Sequence, residues 1–134
     1  AAAASFAAEP ATPADDLGLS AGQKEASAAI LRERQPALTA ALKAASAAKR
    51  EVLRRAYADP PDEASVRAAA RTAAVAEEEL AVQRARLTEA LRAILTAAQK
   101  RKLARAQAEV LAAMEERAQR EGTLLDAWIR DHGR

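Results

Sequence analysis

The chain contains no cysteine, which excludes disulfides and thiolate metal sites and leaves the redox compartment open. Aromatic side chains are nearly missing: Phe, Tyr and Trp occur once each, so with the single histidine the ring-bearing set is Phe6, Tyr57, Trp128 and His132. Nucleophilic catalysis has no cysteine or central histidine to draw on, and there is no glycine-rich loop to cradle a phosphate. Neither an enzyme nor a bound cofactor is expected. Long apolar runs are lacking too, since none approaches the roughly 20 residues a membrane span needs. Nor is there a strong charge of one sign: 21 Lys and Arg against 19 Asp and Glu give a net charge of +2, and the two signs are interspersed, so no large field follows.

What is there is helix-forming material. The 134 residues allow one domain. Half are hydrophobic by count, but alanine supplies roughly a third of the chain and buries little area per residue. Abundant Ala, Leu, Glu, Lys and Arg with almost no interior glycine give an all-α class with long helices.

Two short stretches organise the rest, Leu19-Ser20-Ala21-Gly22-Gln23 and Leu95-Thr96-Ala97-Ala98-Gln99. Each is a capping box: the hydroxyl accepts from the amide of the third helical residue, and the glutamine side chain returns to the amide of the cap. Two otherwise unpaired donors at the helix start are thereby satisfied. The position that would complete a hydrophobic staple is Lys24 or Lys100, so Leu19 and Leu95 are expected to pack against another helix.

Residues 1–16 are rich in Ala and Pro without apolar periodicity and are expected to be a disordered tail. Ser5-Phe6-Ala7 is spaced like the end of a signal-peptide cleavage region without its apolar core. Either an export signal has been removed ahead of the tail or the tail follows an anchor; a plain flexible terminus is the other reading.

A first helix is expected from residue 21 to about residue 58, with Leu31, Leu38, Ala45 and Val52 seven residues apart and Leu42 and Ala56 on the same stripe. Pro36 predicts a kink or break near Arg34, and Asp59-Pro60-Pro61-Asp62 a tight corner. Over residues 63–94, Val66, Ala73, Leu80, Leu87 and Ile94 recur as heptads, which supports a continuous helix about 48 Å long. The third helix starts at the Thr96 cap and is expected to turn Leu103, Val110, Leu111 and Met114 inward. Residues 115–121 are polar all round, Gly122-Thr123 offers a stop and a new cap, and Leu124, Leu125, Trp128 and Ile129 predict a short final helix. One all-helical domain over residues 17–131 follows, with residues 132–134 as a tail. Thin, Ala-faced helices bury few large side chains, so a long antiparallel hairpin pairing as an elongated or cradle-shaped homodimer is expected. Val66, Leu80, Leu87, Leu91 and Ile94 form its dimer or core seam.

Two L-[ST]-x-x-Q motifs, one opening the folded region and one after a long helix, with a proline corner between them, resemble the LTxxQ-motif group of bacterial periplasmic proteins. These are the Spy/CpxP-like chaperones and the heavy-metal-resistance (CnrX/ZraP-like) proteins. The resemblance covers residue 17 to about residue 114. It implies a dimeric, non-enzymatic, exported protein that either holds unfolding clients without ATP or works with a membrane signalling protein. The sensor branch carries a His-x-x-x-Met pair in the long helix before the second motif to ligate nickel or cobalt; here that position is Leu87-Thr88-Glu89-Ala90-Leu91, and leucine donates nothing to a metal. A periplasmic chaperone or envelope-stress protein is therefore the leading expectation, and a sensor or signalling partner without the usual metal ligands the alternative.

Consecutive carboxylates Glu77-Glu78-Glu79 point in different directions on a helix and do not converge on a cation. Lys43, Arg50 and Arg54 share one face of the first helix with Arg55 beside them, either as a solvated face or as the basic rim of a client-binding surface. Lys100, Arg101, Lys102 and Arg105 form a second basic cluster, but no aromatic residues interleave and no groove-reading motif accompanies them, so nucleic acid is not expected as a partner. His132 reads as a solvated terminal residue rather than a ligand.

Overall fold

The computed structural model describes residues 15–133. Among them every regular element is helical: a 3₁₀ turn at Asp15–Leu17, then α1 (Ala21–Ala56), α2 (Glu63–Arg92) and α3 (Ala97–His132). The all-α class is as expected. Residues 1–14, which carry most of the expected tail, lie outside the described residues, while Asp15 and Asp16 open the 3₁₀ turn. The chain divides into two compact units, Ser20–Ile94 and the segments on either side of it.

In the first unit α1 runs unbroken through Pro36, so of the kink or break expected near Arg34 there is no break. The proline ring removes one amide bond, and Arg32 and Pro36 are both exposed, which leaves the freed carbonyl on the solvent side. Tyr57 caps the end of α1, its amide donating to the Leu53 carbonyl at 2.9 Å. The corner that follows carries a cis Asp59–Pro60 peptide. At the start of α2, Glu63 sits in the first turn, where a negative charge favours the helix dipole.

α1 and α2 pack through small residues. Ala41, Ala45 and Leu80 are the buried hydrophobic core, at 7, 3 and 4 % exposure, with Leu38 and Ala76 against them. Alanine on α1 opposite leucine on α2 lets the two backbones approach closely. Of the five expected seam residues only Leu80 is buried; Val66, Leu87 and Leu91 on α2, and Ile94 two residues past its end, are half-buried. The pair is tied at both ends. Arg55 Nη1 donates to Ser65 Oγ at 2.9 Å beside the corner, and Gln23 Nε2 donates to the Ile94 carbonyl at 2.9 Å at the other end.

In the second unit α3 is one helix of 36 residues, and two expectations are corrected there. The stop at Gly122-Thr123 does not occur. A glycine inside a helix costs only about 1 kcal/mol relative to alanine, and Thr123 Oγ1 donates back to the Gln119 carbonyl at 3.0 Å instead of capping a new helix. The expected final helix is thus the last part of α3, and His132 closes α3 instead of beginning a tail. Second, Val110, Leu111 and Met114 do not turn inward; they are 59, 68 and 64 % exposed, and of the expected inward set only Leu103 is half-buried. Within its own unit α3 packs mainly on the 3₁₀ turn, too short an element to cover a helix of this length.

Candidate functional site

Both capping boxes form in full. Ser20 Oγ accepts from the Gln23 amide at 3.2 Å while Gln23 Oε1 accepts from the Ser20 amide at 3.0 Å. Thr96 Oγ1 accepts from the Gln99 amide at 3.2 Å, and Gln99 Oε1 from the Thr96 amide at 2.9 Å. The cap residues adopt extended backbone, as a cap requires. Leu19 and Leu95, expected to pack on another helix, are half-buried.

Each glutamine then does something that the capping pattern alone does not disclose. With Oε1 spent on the cap, Nε2 still has hydrogens to donate, and both amides reach far along the sequence. Gln23 Nε2 takes the Ile94 carbonyl, and Gln99 Nε2 takes the Leu17 and Gly18 carbonyls at 3.4 and 3.3 Å. Gln99 is only 9 % exposed, the one buried polar residue among those described. Gly18 has a φ of +66°, a left-handed conformation that a side chain disfavours, and that turn presents two successive carbonyls to one amide.

Along α1 the exposed side carries Leu31, Leu42 and Leu53, at 46, 41 and 44 % exposure. They are eleven residues apart, close to three full turns, so they form one row. Lys43, Arg50 and Arg54 are exposed about 100° further round the helix. Arg50 Nη1 meets Ser46 Oγ at 3.4 Å. Glu51 accepts from both Arg54 and Arg55, and the Arg55 hydrogen bond, reinforced by both guanidinium charges, holds its carboxyl below the usual carboxylate range. Arg55 belongs to the corner more than to the basic strip, because its other nitrogen goes to Ser65. Leu31, Leu42 and Ala56, expected on the buried stripe of the first helix, are exposed instead, because Leu31 and Leu42 follow a period of eleven residues with Leu53 and only Leu38, Ala45 and Val52 of that stripe turn toward α2.

The remaining sequence candidates stay apart. Glu77, Glu78 and Glu79 are exposed, with Glu79 Oε1 accepting from Gln83 Nε2 at 2.7 Å, and Lys100, Arg101, Lys102 and Arg105 are exposed near the start of α3. His132 stacks on Trp128 with ring centroids 4.8 Å apart. Its Nδ1 lies 3.0 Å from the Trp128 carbonyl, an acceptor, so Nδ1 is the donor. Among the described residues no three His, Asp or Glu side chains gather as metal donors, and no helix is long and apolar enough to cross a membrane. Compared with protein-family models, curated proteins and solved structures, the chain matches none.

Proposed function

We propose that this protein is an ATP-independent, protein-binding chaperone or envelope-stress protein of the Spy/CpxP type, acting in the periplasm as a homodimer and without enzymatic chemistry. In this reading α1 and α2 form the long antiparallel hairpin of such a protomer, and the two glutamine ties hold the helix starts in register. The observation that carries the proposal is the row of Leu31, Leu42 and Leu53 on α1, left in water, with Lys43, Arg50 and Arg54 exposed about 100° further round the same helix. An unfolding chain offers apolar segments and acidic ones; the leucines suit the first, the basic strip the second, and the arginine stems can cover apolar surface while their heads stay solvated. The half-buried Leu87 and Leu91, where the sensor branch would place metal donors, weigh toward the chaperone branch.

The test is suppression of aggregation of a chemically denatured model enzyme by the full chain without nucleotide. Suppression near stoichiometric ratio is expected, weakened several-fold by Leu42→Asp with an unchanged helical spectrum. No suppression at a large molar excess overturns the reading.

A further inference from the structure

After α1 and α2 have used each other, one large apolar surface is left on the second unit. Val110, Leu111, Met114, Leu124, Leu125, Trp128 and Ile129 are between 59 and 70 % exposed. At 100° per residue they fall within an arc of about 140°. Arg117 and Glu121 interrupt that arc and pair with each other, Nε to Oε1 at 3.4 Å. Single exposed apolar residues are ordinary, but two apolar clusters of this size on one face of a helix mark an interaction surface.

We propose that this stripe is the seat of a second copy of the chain, docked antiparallel along α3. The inference rests on the dimer part of the reading above and not on the chaperone part. The stripe is complementary to itself in one register: laid antiparallel about a twofold axis between Ala118 and Glu121, Val110 meets Trp128 of the second copy, Leu111 meets Ile129, and Met114 meets Leu125, each pair on the same side of the interface. All three apolar pairings arise together, each made twice by the twofold symmetry.

Charge favours the same direction. The first turns of α3 carry Lys100, Arg101, Lys102 and Arg105 with one carboxylate, Glu109, whereas residues 115–131 carry five carboxylates against three arginines. A helix dipole alone would favour acids at the N-terminal end, not bases, so the polarity does not serve the isolated helix. Antiparallel pairing in this register brings Arg105 within about one turn of Asp131 of the second copy, just past the carbonyl end of its α3, and sets Glu109 opposite Arg130. Parallel pairing would set like against like.

The area is sufficient. Seven side chains of this size leave on the order of 900 Å² in water per copy, so a pair can remove on the order of 1,200 Å² or more, the range of specific interfaces.

Because the chain has no cysteine, single cysteines report the geometry directly. Sedimentation of the full chain should give twice 14.1 kDa at micromolar concentration. Leu125→Asp should return it to the monomer mass with its helical spectrum intact, since the position is solvent-exposed in one copy. Under mild oxidation an equimolar mixture of Met114→Cys and Leu125→Cys chains should cross-link to each other, and each variant alone should not. A parent that is monomeric at 100-fold higher concentration than the assay, including one whose Trp128 is shielded by its own chain, overturns the proposal. So does a Leu125→Asp dimer, or cross-linking of each variant with itself in preference to the mixture.

Discussion

Replacing Gln99 by glutamate isolates the long-range tie from the cap. Glutamate is a normal third residue of a capping box, so Thr96 keeps its acceptor and the negative charge near the helix start is favourable by about 0.3–1 kcal/mol. What changes is Nε2. A carboxylate oxygen replaces a donor that faces the Leu17 and Gly18 carbonyls at 3.4 and 3.3 Å, in a residue only 9 % exposed. Losing that hydrogen bond and burying acceptor against acceptor costs about 1–3 kcal/mol. The loss exceeds the gain, and Gln99→Glu should be destabilised by about 1–2 kcal/mol at pH 7, or roughly 3–8 °C in midpoint for a chain of this size. The substitution also gives the effect a sign in pH. Burial against carbonyls raises the new carboxyl above its unfolded value of about 4.3, so the deficit is complete above the raised folded value and closes as pH falls toward the unfolded one. Circular dichroism during urea unfolding at pH 7 and near pH 4, with Gln99→Ala as the control without a titrating group, reads both. A Gln99→Glu protein as stable as the parent at pH 7 would refute the tie.

Thr96→Ala removes only the hydroxyl acceptor and should cost about 1 kcal/mol in thermal unfolding, with Thr96→Ser close to the parent; an overlay of the alanine variant on the parent would misplace the start of α3. Leu80→Ala empties the centre of the α1–α2 contact, and urea unfolding should show a loss of about 2–4 kcal/mol, against about 0.5 kcal/mol or less for the 68 % exposed Val75→Ala. The Glu51 carboxyl, held low chiefly by Arg55, lends its support to the end of α1 above the ordinary glutamate value and loses it as pH falls through the depressed folded value. Amide protection near residue 55, taken relative to the intrinsic exchange rate at each pH, should therefore fall on acidification in the parent and not in Glu51→Gln.

The helical class, the two caps and the corner were legible in the sequence, because each rests on chemistry local to a few residues: a hydroxyl and a glutamine three apart, two prolines in a row. Gly122-Thr123 misled for a local reason as well, since nothing short-range distinguishes a threonine that caps from one that bonds the carbonyl four residues back. The inward assignment of Val110, Leu111 and Met114 failed differently. Periodicity finds an apolar face without saying what covers it, and among the described residues of its own unit α3 packs mainly on the turn at Asp15–Leu17. The Gln99 tie to Leu17 and Gly18 needed the fold itself, because its partners lie 82 and 81 residues away.

That separation also sets an order of events. The α1–α2 contacts around Leu80 close through a corner of a few residues, whereas joining Gln99 to Gly18 requires a loop of about 80 residues to come together, at an entropic cost that grows with the logarithm of its length. Local contacts repay early and distant ones late. The glutamine bonds are thus the final stitches of folding and the first to slip in unfolding, so they govern how long the native chain lasts more than how fast it is reached.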